Sequence, residues 1–157
     1  TTHQKPDADA MGSSLSLFHY LTKKSHRVTV ISPTNWAGWI GWMNGADKVL
    51  NYEQQTAKAD QILDNADWLF CLDFNAFHRT KSMAKKLATL TCTKILIDHH
   101  QEPDVAAFAR GGRMGVGRVS HHHYFVAGFC VHDADLGLSG SGTRSPLILF
   151  QLSSFFI

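Results

Sequence analysis

Seven side chains in three short segments carry the chemistry that this sequence could perform. They are His3, Asp7 and Asp9 near the start, Asp73 in the middle, and the run Asp98-His99-His100 further along. Carboxylates mixed with imidazoles, with no cysteine among them, suit Mn²⁺; Mg²⁺ or Co²⁺ would accept the same donors. Several acids drawn together without a cation repel one another and raise each other's pKa. A pair of divalent ions roughly 3.5–4 Å apart removes that cost, and such a pair can activate a hydroxide for in-line attack on phosphorus. Each residue alone has a plainer reading. Asp7 and Asp9 suit the positive end of a helix, and Asp73 could cap the segment after it. Neither reading explains His3.

The chemistry requires elements that bring the three segments together. Thr1-Thr2-His3 reads as the end of a strand, and Asp9 to about Lys24 as a helix with Met11, Leu15, Phe18 and Leu21 on one face. Arg27 to Ile31 is a β-rich run closed by Pro33, and Lys48 to Tyr52 a short strand. Trp36, Trp39 and Trp42 recur every three residues, which predicts one packed side of a short helix over 35–43. Glu53 to Asn65 reads as a helix. Asp67 to Asp73 is a nearly unbroken apolar run, as expected of a strand buried on both faces. Arg79 to Leu90 reads as a helix with Met83, Leu87 and Leu90 inward, and Thr93 to Asp98 as another buried strand. Strand, helix, strand, helix, strand predicts an α/β fold: a doubly wound, mainly parallel sheet with helices on both faces. Ligands of such sheets lie beyond the carboxyl ends of the strands. His3, Asp73 and Asp98-His99-His100 all fall at such ends, with Asp7 and Asp9 in the turn into the first helix.

Composition narrows the class. The chain has 157 residues, 44% of them hydrophobic and 18% charged, which fits one domain with a real core. A net charge of +2 is too small to argue for nucleic-acid binding by charge alone. No apolar run of about 18 residues predicts a membrane span, and no basic-then-apolar leader is visible. The chain starts at Thr1 without an initiator Met, so a leader could have been lost. Cys71, Cys92 and Cys130 are an odd, widely spaced set without a C-x-x-C pair, which predicts reduced thiols and a cytoplasmic setting.

The chain changes character near residue 104. All lysines lie at or before Lys94, eight of the 12 glycines lie at or after Gly111, and no Glu follows Glu102. Arg110 to Arg118 and Leu138 to Gly142 show neither helical nor strand period. The expectation is a domain over 1–104 and an irregular Gly/Arg/Ser-rich tail over 105–157. A frame-shifted or aberrant translation would produce such a swap in composition; a natural Gly-rich extension is the plainer alternative. An uninterrupted reading frame for the tail in related genomes would decide for the extension. The His121-His-His123 tract has the look of a metal tract but no acids flank it. Gly12-Ser13-Ser14 suits either a phosphate cradle or close helix packing. His19, His26 and His78 read as surface or packing residues, and Lys81, Lys85 and Lys86 as a solvated helix face.

The three segments also resemble a family. Thr2-His-Gln-Lys-Pro-Asp-Ala-Asp-Ala-Met-Gly-Ser-Ser14 is similar to the first motif of DHH-family phosphoesterases, H-x-x-P-D-x-D-x-[IM]-G-S. Leu72-Asp73-Phe74 is similar to the second, and Ile97-Asp98-His99-His100 matches the signature that names the family. The order is the family's, and the resemblance covers about residues 1–104. It implies that His3 and Asp7 hold one metal, that Asp9 and His99 hold the other, and that Asp73 bridges them. His100 would contact the substrate phosphate, and Asp98 would orient the adjacent histidines. The His-Gln-Lys-Pro-Asp opening and the His-His-Gln-Glu-Pro-Asp stretch look like the bacterial nano-RNase and 3′-phosphoadenosine-5′-phosphate phosphatase branch.

That resemblance implies an exoribonuclease or phosphatase acting on short RNA or small phosphorylated nucleotides, and it allows a homodimer in the intact protein. Two departures stand against it. The family's fourth motif, an aspartate in a T-D-T-G-like turn, has no match here; Asp133 and Asp135 lack its context, and Gly111-Gly112 is not the family's Gly-Gly-His segment. The nucleotide-gripping second domain is absent as well. The chain thus reads as truncated after the third motif. A pyrophosphatase or cyclic-dinucleotide phosphodiesterase on the same core, or an inactive fragment, are the competing functions.

Overall fold

The structure is a computed structural model, and it describes residues 1–109 and the backbone of residues 114–118. Helix α1 (Ala8–Lys23) starts where the sequence provides its cap: the Asp7 backbone is extended and its carboxylate accepts the Ala10 N–H at 3.3 Å. It stops where Ser25 turns left-handed at φ 66° and the His26 N–H closes onto the Leu21 carbonyl. Strands β1 (Ile31–Ser32) and β2 (Leu50–Asn51) pair in parallel, as do β3 (Trp68–Leu72), β4 (Thr93–Asp98) and β5 (Met114–Arg118). Thr1 links the two groups: its amino group donates to the Phe70 carbonyl at 2.7 Å, its carbonyl accepts the Leu72 N–H, and its hydroxyl donates to the Ile31 carbonyl. The N-terminal residues therefore run beside β3, as a strand end was expected to.

Helices cover both faces, which is what the continuous apolar runs of β3 and β4 require. On one face Leu17 and Leu21 of α1 pack on Leu72, Ile95 and Ile97. On the other, Leu69, Cys71 and Leu96 lie under Leu63 of α2 (Thr56–Asp64), Leu87 of α3 (Ala84–Thr89) and Phe108 of α4 (Val105–Ala109). Each such buried side chain contributes roughly 1.5–3 kcal/mol relative to exposure. The α/β fold with parallel strands is the one the sequence predicts.

Four expectations are corrected. The run 27–31 forms regular strand only at Ile31–Ser32, because β2 opposite it is two residues long. The helix expected over 79–90 is broken. A 3-10 segment spans Phe77–Met83, with Lys81 at φ 51° and ψ −110°, before α3 begins. The cause is competition for carbonyls, since Thr80 Oγ1 bonds the Phe77 oxygen and the Gln4 N–H takes that of Arg79. Met83, Leu87 and Leu90 still face inward.

The tryptophans do not form one packed side. Ile40 takes the core position in the 3-10 turn Gly38–Ile40, Trp36 packs at its edge, and Trp39 and Trp42 are 66% and 74% exposed. Nor does irregular structure begin at residue 105. Helix α4 and strand β5 follow, and β5 pairs from Lys94↔Met114 to Asp98↔Arg118. The tail readings that involve Gly111-Gly112, His121-His-His123, Cys130, Asp133, Asp135 and Leu138 to Gly142 lie outside the described residues. Among the described residues no helix is long and apolar enough to cross a membrane.

Candidate metal centre

All seven singled-out side chains meet at the carboxyl edge of the sheet. Parallel pairing puts the ends of β3 and β4 side by side, and the Asp73 N–H donates to the Ile97 carbonyl at 3.0 Å. Asp73 is buried, and its backbone is left-handed at φ 62°, a conformation that aspartate tolerates better than most residues. Its two carboxylate oxygens face different partners. Oδ2 lies 3.6 Å from His3 Nε2, and Oδ1 lies 3.1 Å from His99 Nε2. His3 Nε2 is also 3.7 Å from Asp7 Oδ1, while His99 Nε2 is 4.0 Å from Asp9 Oδ2. The centre thus has two lobes sharing one carboxylate: His3, Asp7 and Asp73 on one side, Asp9, His99 and Asp73 on the other.

Hydrogen bonds orient the rings. His3 Nδ1–H donates to the Gln4 carbonyl at 2.7 Å; a carbonyl only accepts, so Nε2 is left to face the acids. His100 Nδ1 bonds Asp98 Oδ1 at 2.6 Å and lies 3.8 Å from Asp73 Oδ1. Asp98 therefore holds His100 and not both adjacent histidines; His99 points instead at Asp73 and Asp9. The Asp73 carboxylate facing it raises the His3 pKa above its ordinary value, against the opposing effect of burial. Asp9 is pushed up to about 6 by its hydrogen bond to Asp7 and by burial, with the Asp73 charge adding to the shift. For Asp7 burial pushes upward, but the bond from Asp9, the Ala10 N–H and His3 together win and its pKa falls.

These observations fit a cation. Three carboxylates converge, and one of them holds a proton to near neutrality. Two groups, His3-Asp7-Asp73 and Asp73-His99-His100, each have ligand atoms within 4.8 Å of one another. Among the described residues the buried Asp98 Oδ2 has no hydrogen-bond partner, an expense that a nearby positive charge would offset.

The other candidates resolve as structural. Ser13 and Ser14 bond the Ala10 carbonyl within α1, and His19 Nε2 meets the Asn44 carbonyl at 2.8 Å. Lys86 pairs with Asp64. Several ties about the site carry no sequence signal of their own. Gln4 N–H reaches the Arg79 carbonyl, Lys5 N–H reaches Thr34 Oγ1, and Asn75 reaches Gln101 and Asp104.

Comparison with known proteins places the chain in a family. The DHH family, N-terminal domain, matches residues 1–110. A crystal structure of an exopolyphosphatase-related protein from Bacteroides fragilis is similar, with 37% identity and a TM-score of 0.67. The similarity covers 76% of this chain and 33% of that one, so the chain spans about a third of that protein's length. No curated protein matches.

Proposed function

The chain belongs to the DHH family, and from that premise we propose that it is the metal-binding part of a phosphohydrolase that cleaves short oligoribonucleotides or small phosphorylated nucleotides. The observation carrying this reading is the division of the Asp73 carboxylate between His3 and His99. Such a bridge is what a pair of divalent ions needs, and when bound the ions would supply an activated water and neutralise phosphoryl charge. His3, Asp7 and Asp73 would hold one, and Asp9, His99 and Asp73 the other. Mn²⁺ suits this mixture of carboxylate and imidazole, with Mg²⁺ or Co²⁺ as alternatives. His100, anchored to Asp98 through Nδ1, keeps Nε2 for the substrate phosphate.

A second reading has a specific motive. The similar structure is described as exopolyphosphatase-related, and a phosphoanhydride would present the same phosphoryl group to the same edge. Hydrolysis of a 5′-phosphorylated RNA dinucleotide and of inorganic polyphosphate, each with Mn²⁺, separates the two. The expected result is Mn²⁺-dependent release from the dinucleotide, lost in Asp73→Ala. Polyphosphate cleavage alone would decide for the second reading. No turnover of either, despite Mn²⁺ binding, would make this chain an inactive fragment.

A further inference from the structure

We propose that Asn75, which none of the three motifs contains, is the positioning residue that fixes the His99-His100 turn against Asp73. This rests on the metal-centre reading and adds a residue to it. The turn needs an external hold. His99 follows the last residue of β4, its side chain is about half exposed, and Glu102 further along is strained at φ 54°. Asn75 lies two residues beyond Asp73 in the facing turn, and it grips the 99–104 segment twice. Its Nδ2 donates to the Gln101 carbonyl at 2.8 Å, and its own carbonyl accepts the Asp104 N–H at 2.8 Å. Asp104 is fixed in turn as the cap of α4, through Oδ1 to the Ala107 N–H.

With the Asp73 N–H on the Ile97 carbonyl, three bonds close the two ligand-bearing turns on each other like a zip. The side-chain bond is the one that selects asparagine. Asp104 is held by a backbone carbonyl any residue has, whereas the Gln101 carbonyl requires a donor. The first lobe, His3 with Asp7, is fixed differently, through Gln4, Arg79 and the cap of α1, and Asn75 touches none of these.

The test is Asn75→Asp, of the same shape without the donor, beside Asn75→Ala. Long-range ¹H–¹⁵N spectra of the imidazoles, recorded without metal at fixed pH, should show His99 and His100 shifted and broadened in both variants and His3 unmoved. Calorimetric Mn²⁺ titration should show about tenfold weaker binding of one ion and unchanged binding of the other, in line with the effect of outer ligand-orienting groups. The melting temperature should stay within about 4 °C of the parent, because the bond is exposed. Unchanged His99 and His100 ring signals would overturn the proposal, as would equal weakening of both ions. Failure of the parent chain to bind any ion would sink the phosphohydrolase reading instead, and the ring spectra would still judge Asn75.

Discussion

Asp73→Asn should abolish the stabilisation of this chain by Mn²⁺ while leaving its metal-free fold almost untouched. Asparagine has the same shape and also tolerates the left-handed backbone at φ 62°, so no strain is introduced. The metal-free energetics nearly cancel. The change removes the charged partner of His3, but it also removes a charge that helps push Asp9 up to about 6. Metal binding has no such cancellation, because the two oxygens serve His3 and His99 separately. Suppose free Mn²⁺ at 100 times the parent's Kd. One ion then stabilises by about 2.7 kcal/mol, or roughly 10 °C in Tm for a domain of this size. Loss of a direct ligand should exceed the 10–100-fold cost of losing an outer one. A loss of about 100-fold puts the ion at its Kd, leaving about 0.4 kcal/mol and a shift of under about 2 °C. Thermal melts at fixed pH with and without Mn²⁺ measure this. A full Mn²⁺ shift in Asp73→Asn would place the ions elsewhere and refute the bridge. A collapse of the metal-free Tm would refute the cancellation.

Two other perturbations test the surroundings of the bridge. Asp9 has its folded pKa raised from 3.8 to about 6, so below about pH 4 the group is protonated whether folded or not and costs nothing. As pH rises through 6 the folded state must give up a proton it favours, and stability falls. Metal-free Asp9→Asn should therefore be more stable than the parent at pH 7. The gain is on the order of 1 kcal/mol, since the side chain is half exposed and screened, and it should vanish near pH 4 in urea melts. The opposite pH trend would show that Asp9 is not the proton holder. Phe108→Ala should cost about 3–5 kcal/mol in the same melts, because Phe108 is fully buried with its ring 4.6 Å from that of Phe77. A cost under about 1 kcal/mol would mean that α4 is not part of the core and that the domain does end at 104.

What was legible in the sequence depended on whether a residue's role is set by its own neighbours in the chain. Thr93–Asp98 could be read to the residue, because burial on both faces leaves the apolar core Ile95 to Ile97 ended by a charge. The start of α1 reads as Asp9, one residue late, because the cap that fixes it at Ala8 is the Asp7 carboxylate, which the sequence offers equally as a charge at the positive end of the helix. Met114–Arg118 was not legible: two glycines hide any alternation, and the strand owes its register to β4, whose backbone bonds need no particular side chains. The break at Lys81 was hidden for a related reason, since Gln4 lies far away in sequence yet takes the Arg79 carbonyl. Asn75 belongs to the same class, its partner Gln101 being 26 residues on. The motif residues were visible because their types are unusual together, whereas the groups that aim them are ordinary.

The same distinction bears on whether the centre exists before any ion arrives. Lys5, Asp73 and Glu102 are non-glycine residues with positive φ, and they lie in the three turns that carry the ligands. Such conformations cost about 1–2 kcal/mol each, so a turn left to itself would relax. Each is instead tied to a different part of the fold. Lys5 N–H is held by Thr34 Oγ1 and Asp73 N–H by the Ile97 carbonyl, while Glu102 lies between Gln101 and Asp104, both bound to Asn75. The strain is thus borne by sheet and loop contacts and not by metal coordination. It follows that the ligands are held in place in advance, and that an ion binding at neutral pH must displace the His3 proton, whose pKa is raised above its ordinary value, before that of Asp9 at about 6.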